Sequence, residues 1–98
     1  MRRGTTPTLT ISTDADLTPA SNLFVTFTQN GEPVFEKTLE DVTLTSETVT
    51  VLLTQNETLL MKSDAPVQFQ IRASIGDMKL ASNIMTASVD QILKNGVI

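Results

Sequence analysis

Apolar and polar residues alternate with a period of two in several short runs, which is the spacing of half-buried β-strands rather than of helices. Leu9 and Ile11 share one face of a first strand. Leu23, Val25 and Phe27 do the same in a second, with Thr26 and Thr28 on its other face. Asn30-Gly31 follows, and both residue types tolerate the positive φ that a type I′ hairpin demands. The returning strand is therefore placed from about Pro33 to Leu39, with Pro33 at its start or on a sheet edge because proline donates no ladder hydrogen bond. Val42 and Leu44 predict a short strand, Ser46-Glu47 a loop, and Val49, Val51 and Leu53 a further strand.

Thr54-Gln55-Asn56-Glu57 then has the spacing of a capping box, in which hydroxyl and carboxylate satisfy free backbone N–H groups at a helix start. One short helix is predicted there, near residues 55–61. Lys62 to Pro66 marks its exit. Val67, Phe69, Ile71, Ala73 and Ile75 alternate with Gln68, Gln70, Arg72 and Ser74 in the longest strand signal of the chain. Gly76-Asp77 reads as a two-residue type II′ turn returning into Met78, Leu80, Ser82 and Ile84. Two readings fit the end: a short helix capped by Ser88 and carrying Val89, Ile92 and Leu93, or strand to Val89 followed by an irregular tail.

Strands with turn signals roughly every ten residues, and only one short helix available for crossovers, predict an all-β, immunoglobulin-like antiparallel β-sandwich of about seven strands. A small barrel is the alternative. At 98 residues the chain has room for one core, so residues 1–98 are read as a single β-sandwich domain, with 1–6 a flexible basic arm and 90–98 a tail. With 40% apolar residues and four Phe as the only aromatics, the core is filled mainly by Val, Ile and Leu.

A net charge of −4 opposes a polyphosphate backbone, so nucleic acid is not an expected partner. No apolar run is long enough for a signal peptide core or a bilayer span, so synthesis in the cytoplasm without export or membrane attachment is expected. Asn56-Glu57-Thr58 is then a chance glycosylation match. The chain has no His, Cys, Tyr or Trp, which removes the commonest general base, the thiol nucleophile and the best metal ligands together. The expectation is no enzyme, no catalytic residues, no metal and no cofactor.

Asp14 and Asp16, and Glu40 beside Asp41, are read as solvated turn carboxylates, because calcium needs six or more oxygens. Gly4, Gly31, Gly76 and Gly96 are scattered and form no phosphate-cradling loop. Leu59, Leu60 and Met61 are expected on the core-facing side of the helix. Thr26, Thr28, Thr43, Thr45, Thr48 and Thr50 suit exposed strand faces.

Four residues are candidate partner contacts. Arg2 and Arg3 make a basic tip on an acidic chain, suited to an acidic neighbouring copy. Val97 and Ile98 are apolar in a tail, where polar residues are usual.

The opening Met1-Arg2-Arg3-Gly4-Thr5-Thr6-Pro7-Thr8 resembles small uncharacterised prophage-encoded structural proteins of Gram-positive bacteria. So does the close, Leu80-Ala81-Ser82-Asn83-Ile84 with Ile92-Leu93-Lys94-Asn95-Gly96-Val97-Ile98. The stretch from Leu17 to Val89 resembles the immunoglobulin-like N-terminal domain of phage baseplate upper proteins. The shared elements are the strand pair Leu23 to Glu36, the run Val49-Thr50-Val51-Leu52-Leu53-Thr54 leading into a helix, and a hairpin ending in Ser82-Asn83-Ile84. The resemblance implies a non-enzymatic phage or prophage structural or virion-assembly protein, a tail, baseplate or head–tail component. Its implied partners are other phage structural proteins or copies of itself, as a homo-oligomer. A carbohydrate- or cell-surface-binding sandwich module is the rival reading, and the lack of Trp and Tyr counts against it.

Overall fold

The computed structural model describes all residues, Met1–Ile98. Eight strands and one helix follow in the order β1 (Thr8–Ser12), β2 (Asn22–Gln29), β3 (Glu32–Thr38), β4 (Val42–Leu44), β5 (Thr48–Leu52), α1 (Gln55–Leu60), β6 (Val67–Ile75), β7 (Met78–Ala81) and β8 (Met85–Ala87). A single turn of 3₁₀ helix, Leu39–Asp41, joins β3 to β4.

The strands form two antiparallel sheets. One is three-stranded, in the order β1-β5-β4; the other runs β3-β2-β6-β7, with β8 also paired to β6. The alternating residues meet between them: Ile11, Val49 and Val51 from the first sheet pack with Leu23, Val25, Phe27, Val67, Phe69 and Ile71 from the second. Phe27 stacks on Phe35 and Phe69, with ring centroids 4.4 and 5.3 Å away. Burying each such side chain contributes about 1.5–3 kcal/mol, which selects this register, since a one-residue slip would turn every apolar side chain outward.

The all-β sandwich reading holds, and the strand order locates the missing piece. Immunoglobulin-type sandwiches pair strands A-B-E-D in one layer and C′-C-F-G in the other. Here β1-β5-β4 takes the B-E-D positions and β3-β2-β6-β7 the C′-C-F-G positions. No strand occupies the A position, beside β1.

Local chemistry sets the connections. Asn30 and Gly31 have φ of 52° and 78°, as the I′ turn requires, and Gly76 has φ of 57° at the two-residue turn between Ile75 and Met78. The Thr54 hydroxyl accepts from the Glu57 N–H at 3.1 Å, and the Glu57 carboxylate accepts from the Thr54 N–H at 2.8 Å, so the capping box forms as read. The helix stops one residue early, at Leu60, and β3 spans Glu32–Thr38 because Leu39 enters the 3₁₀ turn.

Two expectations need correction, and the open choice at the tail is decided. The strand expected through Ile84 breaks at Ser82, where one extra residue enters between the pairs Arg72–Ala81 and Phe69–Met85. The Ser82 hydroxyl bridges the break, accepting the Ile71 N–H at 3.0 Å. Of the two readings of the tail the one without a helix holds: β8 ends at Ala87, Val89 is buried, and the chain beyond Asp90 is irregular. Residues 1–6 are no free arm. Arg3 N–H donates to Asp90 O and Asp90 N–H to Met1 O, and the Arg3 guanidinium caps the end of α1, donating to Leu59 O at 2.9 Å and Met61 O at 2.7 Å. The last carbonyls of a helix lack internal partners and carry partial negative charge, which is what draws the guanidinium in.

Candidate functional site

A strand at the rim of a sheet presents unpaired N–H and C=O groups, and folded proteins guard such edges against unwanted pairing. Two open sheets give this molecule four edges, and three of them are guarded. Along β3, Pro33 removes a donor, a bulge at Val34 breaks the register with β2, and Lys37 points a charge inward. The rim formed by β7 and β8 is interrupted at Ser82. Strand β4 is three residues long.

The β1 edge has none of these devices. Its sequence Thr-Leu-Thr-Ile-Ser carries no charge, no proline and no glycine, and its pairing with β5 runs without a bulge from Thr8–Leu52 to Ser12–Thr48. Leu53 N–H donates to Pro7 O and Thr13 N–H to Glu47 O, at the odd-numbered positions that flank β1 on either side. Antiparallel pairing alternates, so Leu9 and Ile11 also turn their backbone groups to β5, while those of Thr8, Thr10 and Ser12 face outward.

Below that edge the layers part. A groove of about 340 Å³ opens between β1 and the loop after it on one side and β6, β7 and the Ser82 break on the other. Ile11, Leu17, Ile71, Ala73, Leu80 and Met85 give it an apolar floor, and Asp14 stands on its rim. A strand in the empty A position would reach its mouth beside Ile11 and Ser12. In chemical terms this is a receptor for extended backbone with alternating apolar side chains, the arrangement by which peptides add to sheets.

The four candidate contacts lie elsewhere, at the end of the molecule that holds α1. Arg2 donates to Gln91 O at 2.8 Å and Arg3 also reaches Asn95 Oδ1 at 2.8 Å, so both guanidinium groups are engaged within the chain. Val97 is 58% exposed and Ile98 fully so, although the Ile98 N–H donates to Gln55 Oε1 at 3.2 Å. Leu93 is fully exposed as well. Of the apolar cluster in and after α1, Met61 is buried and Leu60 faces out at 58%.

The turn carboxylates hold backbone in place. Asp16 accepts from the Thr18 hydroxyl and N–H, and Asp41 from the Thr38 N–H and hydroxyl; these bonds keep both carboxyls below the ordinary aspartate value. No three carboxylates converge as a metal-holding group would. Phe24 is the one well-exposed aromatic, on the outer face of the larger sheet beside Arg72. No helix is long and apolar enough to cross a membrane.

Reading the chain by periodicity finds β1 but not its special status, because an edge is defined by pairing. A signal was present in comparison: Thr8–Ser12 carries none of the guards visible in Glu32–Thr38. Comparison with known proteins finds no matching family model, curated protein or solved structure.

Proposed function

We propose that this protein is a non-enzymatic structural or assembly component of a phage or prophage, in a tail, baseplate or head–tail position, working by protein–protein contact. The phage context rests on the resemblance carried by the two ends of the chain and by Leu17 to Val89. The mode of action rests on one observation: the only unguarded sheet edge, β1, borders an apolar groove between the layers. A monomeric domain of this size gains nothing from leaving such an edge open, since it is a hazard for uncontrolled pairing. As a docking strand it has a use.

The partners in this reading are other phage structural proteins or further copies of the chain. Contact by strand addition draws affinity from main-chain hydrogen bonds and specificity from the side chains seated below them. The test is quantitative mass spectrometry of particles purified after induction of a host carrying the gene. The chain at fixed stoichiometry to the other virion proteins, or in isolated assembly intermediates, supports the reading. Its absence from both overturns it.

A further inference from the structure

Resting on that assembly reading, we propose that the strand added at the β1 edge is the tail of a second copy of this chain, residues Leu93 to Ile98. The receptor is defined by the outward backbone groups of Thr8, Thr10 and Ser12 and by the apolar groove beneath Ile11. It accepts an extended segment with apolar side chains two or four residues apart on one face. The tail has that pattern, with Leu93 and Val97 on one side, the short Asn95 between them, and Lys94, Gly96 and Ile98 on the other.

The tail's apolar side chains are also uncommitted. The segment joins no sheet, and Leu93, Val97 and Ile98 all face solvent. Exposed apolar side chains in an unpaired segment and an uncovered apolar groove in the same molecule complement each other chemically. Side-chain charge agrees: residues 91–98 carry one charged side chain, Lys94, and the loop at the groove's rim carries two of opposite sign, Asp14 and Asp16.

Geometry favours a neighbour over the chain's own groove. The tail is pinned beside α1 by Arg3 with Asn95 and Gln55 with Ile98. Helix α1 sits at the start of β1, where the Thr58 hydroxyl donates to Thr5 O at 2.9 Å, whereas the groove opens at the end of β1, around Ile11 to Ala15. Donor and acceptor thus occupy different ends of β1 in a molecule 46 Å long and 17 Å thin. A contact between two different patches is heterologous, so it propagates from copy to copy until a ring closes or a filament forms.

Two full-length variants isolate the two halves. Leu93→Asp with Val97→Asp spoils the donor and leaves the groove. Thr10→Pro removes an outward N–H and leaves the bonds to β5; Ser12→Pro does the same one pair along and serves if the first loses the β-sheet circular dichroism spectrum. Light scattering over a concentration series is expected to give wild-type masses rising beyond one chain, each variant at the mass of one chain, and an equimolar mixture of donor and groove variants at two chains with no growth beyond. A wild type that stays at one chain, a donor variant that associates like wild type, or a mixture that stays monomeric overturns the proposal. None of these results touches the assembly reading, which stands or falls on the composition of the particles.

Discussion

Lys37 is the one charged side chain that the sandwich encloses, and it offers a quantitative test of the packing. It pairs across the ladder with Val25, whose side chain is in the core, and its Nζ lies 2.6 Å from Glu57 Oε1. That oxygen also accepts the Thr54 N–H, so one carboxylate neutralises a buried ammonium and caps a helix. The side chains of Lys37 and Glu57 are 10% and 20% exposed. Breaking a fully buried pair by removing one partner costs about 3–5 kcal/mol. Residual solvent at Glu57 reduces this, and Glu57→Gln, which keeps an acceptor for Thr54 but leaves Lys37 uncompensated, is expected to destabilise by about 2 kcal/mol. Lys37→Met strands only the more exposed carboxylate and is expected to cost about 1 kcal/mol. The double variant buries no charge and should lie within about 1 kcal/mol of wild type. Urea unfolding with an unchanged m-value measures all four corners of the cycle. Single effects that add to within about 0.5 kcal/mol would refute the coupling.

Arg3→Ala removes three charge-assisted hydrogen bonds at the end of α1 and should destabilise by about 2 kcal/mol in the same assay, with Arg3→Lys recovering less than half, because an ammonium cannot span Leu59 O, Met61 O and Asn95. Gly4 has φ of +70° and a Cβ there would lie 2.8 Å from Ile92 Cδ1, so Gly4→Ala should lower stability by about 1–2 kcal/mol; an unchanged urea midpoint would contradict the packed position of residues 1–6. Asp41 has its folded pKa depressed below 3.8 by the Thr38 N–H and hydroxyl, so its contribution is present above the unfolded value and lost as pH falls through the folded one. The stability gap between wild type and Asp41→Asn, followed by thermal melts, should therefore be constant near neutral pH and close in acid; a gap that widens in acid would reverse the sign.

Most of the fold was legible because it depends on short-range pattern. The alternation of Leu23, Val25 and Phe27, the Asn30-Gly31 turn and the Thr54–Glu57 box each have one favoured local structure, and each forms. What escaped depends on partners distant in sequence. The break at Ser82 is invisible in the run Met78 to Ile84, because a serine hydroxyl replaces a backbone carbonyl only where Ile71 is opposite. Arg2 and Arg3 read as a free basic tip because the carbonyls that hold them, at Leu59, Met61 and Gln91, carry no side-chain signature. The groove was illegible for the same reason: Ile11, Ile71 and Met85 look like ordinary core positions until the layer above them proves one strand short.

Amide hydrogen exchange at low and high protein concentration tests the role of the β1 edge most directly. Peptides covering Thr8–Thr13 and Leu93–Ile98 should gain protection together as concentration rises, while Asn22–Gln29 and Val67–Ile75, already paired on both sides, stay as they were. Protection that does not change with concentration, or that appears along β3 or β4 instead, would contradict the assignment of β1 as the docking strand.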